Sequence, residues 1–427
     1  MILSEVLASI STFTALIAMT GLAITGYYFH RTWLQPGNFF SLFWLLLTLI
    51  PLLIAPENPV YPFGIWYIFS FSLALLLGSL VWSFIDPNTR LGKALTVAGN
   101  KLDRYAKTLL QLTIVFITVS LIGVLLLLLY GINRYGLDMN IFSLSTLPNL
   151  YYVDRDTGIF TLPWAVKGFM YFVYVASLSG GSAILFAKGK MKLICLLPLL
   201  IALLQGTILA VRSGFLLSIV LWLSGWLAVK VLVNDLKFQP RTVVISLIGF
   251  SLFIFLFISV RWLRSGADDP FLILYLLENV RISMFGHISA FSTWMRDYHY
   301  TGLSFGSNTF SGPLDLIGIQ EREIGYYKEN VLLSSALYTN IFTVFRGLVQ
   351  DFSIPGTLVV AFGSGMAASI SFDRCLHGKF IWLIPLSFFY AFTIYSPIIS
   401  IFNYTSVLMA WCIFFVVLLL LNKKLLL

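Results

Sequence analysis

Charge is what this chain has least of. Only 11% of its 427 residues are Asp, Glu, Lys or Arg, and 59% are apolar, whereas soluble domains carry about a quarter charged residues. That balance excludes an ordinary soluble domain and reads as an integral membrane protein. Cysteine is scarce too. Cys195 and Cys412 fall within apolar runs and Cys375 in a short basic loop. None forms a CxxC or has a histidine at ligand spacing, so neither a disulfide framework nor a zinc site is expected. There is no P-loop, no nucleophile elbow and no HExxH, and the acids Asp268 and Asp269 are adjacent rather than spaced as DxD. No metal or cofactor is expected. No repeat of fixed period is present either, which removes the usual mark of an inverted-repeat transporter. The net charge of +9 would suggest nucleic acid in a soluble protein. In a membrane protein its distribution carries the information, and no nucleic-acid partner is expected.

What is present is a series of apolar runs. A spanning helix needs about 20 mostly apolar residues. Eleven such runs lie at roughly 6–28, 38–55, 62–84, 108–131, 164–187, 191–210, 213–232, 241–261, 353–371, 380–400 and 402–422. Pro36-Gly37, Pro56, Pro270 and Pro355-Gly356 mark where spans should begin or end. The first run has no basic segment ahead of it and no A-x-A-like site behind it, so it reads as a span rather than a cleaved signal. The run 271-FLILYLLEN-279 is too short to span and reads as re-entrant or interfacial. The expected fold is therefore an all-α polytopic membrane protein with about 11 transmembrane helices. Residues 1–261 form a first bundle of about eight spans, 262–352 one large loop containing short helices, and 353–427 the last three spans.

Orientation follows from the basic residues. The loops after odd-numbered spans, with the C-terminus, hold sixteen of them: Arg31, Arg90, Lys93, Lys101, Arg104, Lys107, Lys188, Lys190, Lys192, Lys230, Lys237, Arg241, Arg374, Lys379, Lys423 and Lys424. They face four acids, Asp86, Asp103, Asp235 and Asp373; the other side has eleven bases and fourteen acids. Positive-inside then places the Lys-rich loops in the cytoplasm and residues 262–352 outside the cell membrane. The outward set is nine Arg and only two Lys, Lys167 and Lys328. Arginine offers a planar fork suited to phosphate or carboxylate, lysine only a point charge. An outward face that selects arginine suggests an anionic ligand held at the membrane surface, unless these arginines simply pair with the outward acids.

Several positions could carry chemistry. In 211-VRSGFLL-217, Arg212 falls where two spans meet with almost no loop, and Ser213 and Gly214 open the next helix, whose N-terminus favours an anion. The bland alternative is an arginine snorkelling to the headgroups. Arg261 and Arg264 close the eighth run one turn apart, as ligand contacts or as interfacial anchors. The segment 278–297 reads as a helix: Met284, Ile288, Phe291 and Met295 form a buried stripe beside a more polar one of Ser283, His287, Ala290, Trp294 and Asp297. Glu278 and Arg281 are spaced to pair. Glu278, His287, Asp297 and His299 are the candidate general bases; such a residue taken alone is more often structural, and among them His287 is favoured for its place on the polar stripe.

Arg212 in VRSGFLL, the run 300-YTGLSFGSNTFSG-312 and the segment 338-YTNIFTVFRGLVQDFSIPG-356 together resemble the oligosaccharide repeat-unit polymerases, the O-antigen polymerase (Wzy) family. There a long external loop ends in T-N-x-[FY]-T, followed by an acidic-aromatic pair and a Gly that start the next span. The matching positions are Thr339, Asn340, Phe342, Thr343, Asp351, Phe352 and Gly356; the departure is Ser353, where the family more often has Gly. The motifs cover about 40 residues. The resemblance implies a metal-independent glycosyltransferase. It would move a growing chain from its undecaprenyl pyrophosphate to a fresh lipid-linked oligosaccharide repeat unit, making a surface polysaccharide such as lipopolysaccharide O-antigen, with membrane lipid and a chain-length regulator protein as partners. Under it, His287, Asp297, His299, Arg212 and Arg281 are expected to be catalytic. Arg261, Arg264, Arg346, Tyr338, Asn340 and Asp351 are expected to bind substrate. A ligase that moves glycan to a lipid core and a flippase for lipid-linked oligosaccharide are the alternatives. The flippase would need charge near the membrane midplane, and Lys167, Lys192, Arg212 and Lys230 all lie close to span ends.

Overall fold

The computed structural model describes residues 2–85, 99–237, 272–300, 302–320, 327, 329–334 and 337–426. Within them the chain is mostly helical, and seven helices are long and apolar enough to cross a membrane. They lie in α1 (Ile2–His30), α2 (Pro36–Ile54), α3 (Pro62–Ile85), α4 (Gly99–Tyr135), α7 (Met191–Ile208), α8 (Ser213–Leu232) and α12 (Thr343–Leu376). Between them come α5 (Ile141–Asp156), α6 (Trp164–Ala183), α9 (Leu272–Phe285), α10 (His287–Arg296) and α11 (Ser311–Leu316). Two shorter apolar helices, α13 (Leu383–Tyr395) and α14 (Thr405–Leu426), end the chain. The run 241–261, and with it Arg261 and Arg264, lies outside the described residues.

Helix starts follow local chemistry. Pro36 opens α2, and the Gln35 side chain accepts the Asn38 N–H at 3.1 Å. Asn140 caps α5 by accepting the Ser143 N–H at 2.7 Å. That helix has no apolar periodicity to announce it and was not among the expected elements. The long loop also departs from an all-α reading. Strands β1 (Val331–Ser334) and β2 (Leu337–Thr339) pair antiparallel, Val331 opposite Thr339 and Leu332 opposite Tyr338. Four- and three-residue strands are too short to leave an alternation in the sequence. The helix read over 278–297 is two helices, with the junction at Gly286, where a Cβ would lie 2.6 Å from the Leu333 side chain. The bend lets β1 close against it.

The chain forms two compact units. One comprises Met1–Leu95, Val231–Lys237 and Glu278–Thr405; the other comprises Thr96–Lys230, Phe238–Leu277 and Ser406–Leu427. In the second unit, α4 lies along α6, with the Thr113 and Ser179 hydroxyls 2.6 Å apart and a core of Phe116, Ile117, Val173 and Ala202. In the first, α3 and α12 touch backbone to backbone. A Cβ at Gly78 would sit 1.9 Å from the Phe362 carbonyl oxygen, and one at Gly365 2.0 Å from that of Leu75. Small residues that allow such approach are the usual means of joining helices where lipid removes the hydrophobic drive. Phe345 fills the adjacent core, its ring centroid 4.6 Å from Trp44 and 5.5 Å from Phe291.

α12 is kinked. Ser353 has φ 63° and ψ 172°, a region that is essentially glycine's. Pro355 explains the break, because it has no N–H to bond the Asp351 carbonyl four residues back. That carbonyl accepts the Phe305 N–H instead, at 3.2 Å, and the Gln350 carbonyl accepts the Ser304 N–H at 3.1 Å. Ser353→Gly should therefore stabilise the protein by about 1 kcal/mol, the relieved strain exceeding the extra freedom of glycine in the unfolded chain. A thermal unfolding midpoint a few degrees higher in detergent is the expected reading; a lower one would show that Ser353 is not strained.

Candidate functional site

In the resembling segment 338–352, several polar residues have a local task. Thr339 Oγ1 accepts the Ile341 N–H at 3.3 Å, which turns the chain out of β2. Thr343, at φ 69°, uses Oγ1 to accept the Phe345 N–H at 3.3 Å and so starts α12. Asn340 Nδ2 donates to the Tyr327 carbonyl at 3.2 Å. That bond holds Tyr327 over the next residue of interest.

Arg346 is only 4% exposed. Its guanidinium carbon lies 4.0 Å from the Tyr327 ring centroid, 4.2 Å from Phe342 and 5.4 Å from Trp294 of α10. Three aromatic faces thus surround one cation, each contributing on the order of 0.5–2 kcal/mol. Nη2 donates to Glu329 Oε2 at 2.5 Å, while Nε and Nη1 are buried with no hydrogen-bond partner among the described residues. Buried guanidinium donors left unmet cost free energy that an anion or water would recover. Burial raises the Tyr327 phenol well above its ordinary range, an effect the nearby Arg346 charge only partly opposes, so the hydroxyl stays protonated.

Beside the cage, Asp351 anchors the second resembling run. Its carboxylate is fully buried and accepts three bonds, from Asn308 N–H at 3.0 Å, Asn308 Nδ2 at 2.9 Å and Thr309 N–H at 2.7 Å. With the backbone bonds to Gln350 and Asp351, these fasten residues 304–309 as a strap over α12. Within the strap Phe305 takes φ 46° and leaves its ring 80% exposed. The chain thus bends a non-glycine residue into the left-handed region and presents an aromatic face to the surroundings.

The other expected site residues fall elsewhere. Arg281 bonds Glu57 and, at 2.9 Å, Glu278, as the spacing suggested, and so ties α9 to the α2–α3 connection. Asp297 is clamped by Arg296 through two bonds of 2.6 Å, and the guanidinium holds its carboxyl below the ordinary aspartate range. Arg296 in turn lies over Tyr61, 4.1 Å from the ring centroid. His299 and Tyr338 are exposed. His287 is buried rather than on a polar face, its Nδ1 3.0 Å from the Met284 carbonyl and its ring 6.4 Å from that of Trp44. Burial pushes its pKa down to about 4, against the smaller opposing pull of the Met284 and Leu47 carbonyls, so it is a neutral and weakly basic imidazole.

Arg212 belongs to the second unit and is half-buried in the turn between α7 and α8. The turn is as tight as expected: Ala210 takes φ 51°, Val211 N–H bonds the Gly206 carbonyl at 2.8 Å, and α8 begins at Ser213. Arg155 Nη2 reaches the Ala210 carbonyl at 3.4 Å in the same turn.

The structure thus gathers Asn340, Arg346 and Asp351 with four residues not assigned to the site from the sequence: Trp294, Asn308, Tyr327 and Glu329. Trp294 had a signal, its place on the polar stripe of the 278–297 helix. Tyr327 and Glu329 had none, since loop residues that meet through a hairpin leave no periodic trace. Compared with protein-family models, curated proteins and solved structures, the chain has no match.

Proposed function

We propose that this chain is a lipid-linked oligosaccharide polymerase of the cell membrane, with eleven spans and residues 262–352 on the external side. The observation that carries the reading is the buried guanidinium of Arg346. It lies in an aromatic cage, with Nε and Nη1 unmatched among the described residues, within the segment that resembles the polymerase family. In the reaction, a hydroxyl at the non-reducing end of a fresh repeat unit attacks the anomeric carbon of the growing chain. The bond from that carbon to the pyrophosphate oxygen breaks, the lipid pyrophosphate leaves with the electron pair, and the hydroxyl proton passes to a base. Arg346 is suited to take the developing negative charge, because a preorganised cation away from water stabilises it most. Phe305 is suited to stack on a sugar ring. Among the expected bases, His287 is disfavoured because burial opposes its charged form, whereas His299 is exposed and within reach of a substrate.

The test is reconstitution. Purified protein given lipid-linked repeat units alone should produce a ladder of longer products without added nucleotide sugar, and should do so in EDTA. A strain lacking the protein should carry a single repeat unit on its surface glycan. Failure to elongate, with clean transfer to a lipid core instead, would assign the chain as a ligase.

A further inference from the structure

The pairing of Arg346 with Glu329 is lopsided. The arginine side chain is 4% exposed and the glutamate 71%. One oxygen of Glu329 meets Nη2, the nitrogen shared by both two-pronged edges of the guanidinium, while Nε and Nη1 on either side of it have no hydrogen-bond partner among the described residues. A carboxylate and a phosphate present the same chemistry to a guanidinium, but pyrophosphate offers more oxygens and more charge than one carboxylate. Resting on the anion-site reading above, we propose that Glu329 occupies the position of the incoming phosphate on Arg346. It must swing out before that phosphate binds, and so it determines that the cage opens to an anionic ligand.

The geometry supplies the hinge. Tyr327 is fixed, its carbonyl held by Asn340 and its ring stacked on the guanidinium. Val331 is fixed by its pairing with Thr339. Between these two anchors, Glu329 can leave by side-chain rotation alone, with the cage walls in place. An exposed carboxylate that gives up one contact is rehydrated at once and loses little. A buried arginine left with no anion would lose much more, which accounts for a resident carboxylate at a site built for exchange.

The experiment is a calorimetric titration of the full chain in detergent with inorganic pyrophosphate. Glu329→Gln should bind pyrophosphate about 5- to 30-fold more tightly than the unaltered protein, because the competitor is gone and its shape is kept. Asp315→Asn, which removes one exposed negative charge from α11, should stay within about twofold and so controls for net charge. Arg346→Lys should bind at least about tenfold more weakly. Arg346-dependent binding with equal or weaker affinity in Glu329→Gln would overturn the role of Glu329 and leave the anion site standing. Binding that does not depend on Arg346, or no binding at all, would overturn both.

Discussion

Arg346→Lys should cost roughly 10²-fold or more in polymer formation while leaving the protein folded and abundant. Loss of a single preorganised donor to a developing oxyanion typically costs about 10²–10³ in rate. The substitution keeps the charge and removes two other things. One is the planar fork, whose Nε and Nη1 have no partner among the described residues; the other is the flat cation that fits between Tyr327, Phe342 and Trp294. An ammonium on a flexible stem can meet Glu329 but cannot fill that slot. The measurement is the length distribution of surface glycan, set against protein abundance and thermal midpoint. Lys190→Ala, at an exposed position in the α6–α7 connection, serves as the silent control. Near-normal chain lengths from Arg346→Lys would mean that Arg346 only neutralises Glu329.

Asp351→Ala should release the strap over α12 and lower stability by about 3–5 kcal/mol, the range for removing one side of a buried charged interaction. Two backbone N–H groups and the Asn308 amide would lose their acceptor together. Asp351→Asn should cost less, since the amide retains one oxygen acceptor but turns a donor toward the Thr309 N–H or the Asn308 N–H. Thermal unfolding gives the magnitude, and limited proteolysis gives the place: cleavage within residues 302–310 should rise in both variants and more in Ala. If Asp351→Ala left both readings unchanged, the strap would be held by its backbone bonds to Gln350 and Asp351 alone. Because Phe305 is carried on the strap, glycan elongation should fall in step with its release, whereas anion binding at Arg346 should weaken less. That split separates the positioning of sugar from the holding of phosphate.

Much was legible before any coordinates. Apolar runs of sufficient length, broken by Pro36-Gly37 and Pro56, announced α1 to α3 because a helix in lipid must satisfy its backbone internally and so needs an unbroken apolar surface. The tight turn at Arg212 and the pair of Glu278 with Arg281 followed from spacing, which is a local property of the chain. Some boundaries were not readable. The apolar run read from 353 begins at the kink of α12, and the helical turns from Thr343 that precede it were not readable, because they lie outside the apolar stretch. The glycine-like backbone of Ser353 was visible only as a departure from a resembling pattern.

By itself the sequence determined that this protein is helical, apolar enough for a membrane, poor in charge, and selective for arginine in the loops read as external. Those are properties of composition and of periods within one helix. Only the tertiary structure decided which arginine is caged and which base is silenced. Arg346 and Arg281 look alike as letters, yet one is enclosed by rings from three separate segments while the other is spent on Glu57 and Glu278. His287 lies on the polar stripe of its helix, yet α2 brings Trp44 against it and removes the water that would keep it basic. The physical reason is the same in both cases. Desolvation is set by neighbours remote in the chain, and no local pattern records who those neighbours are.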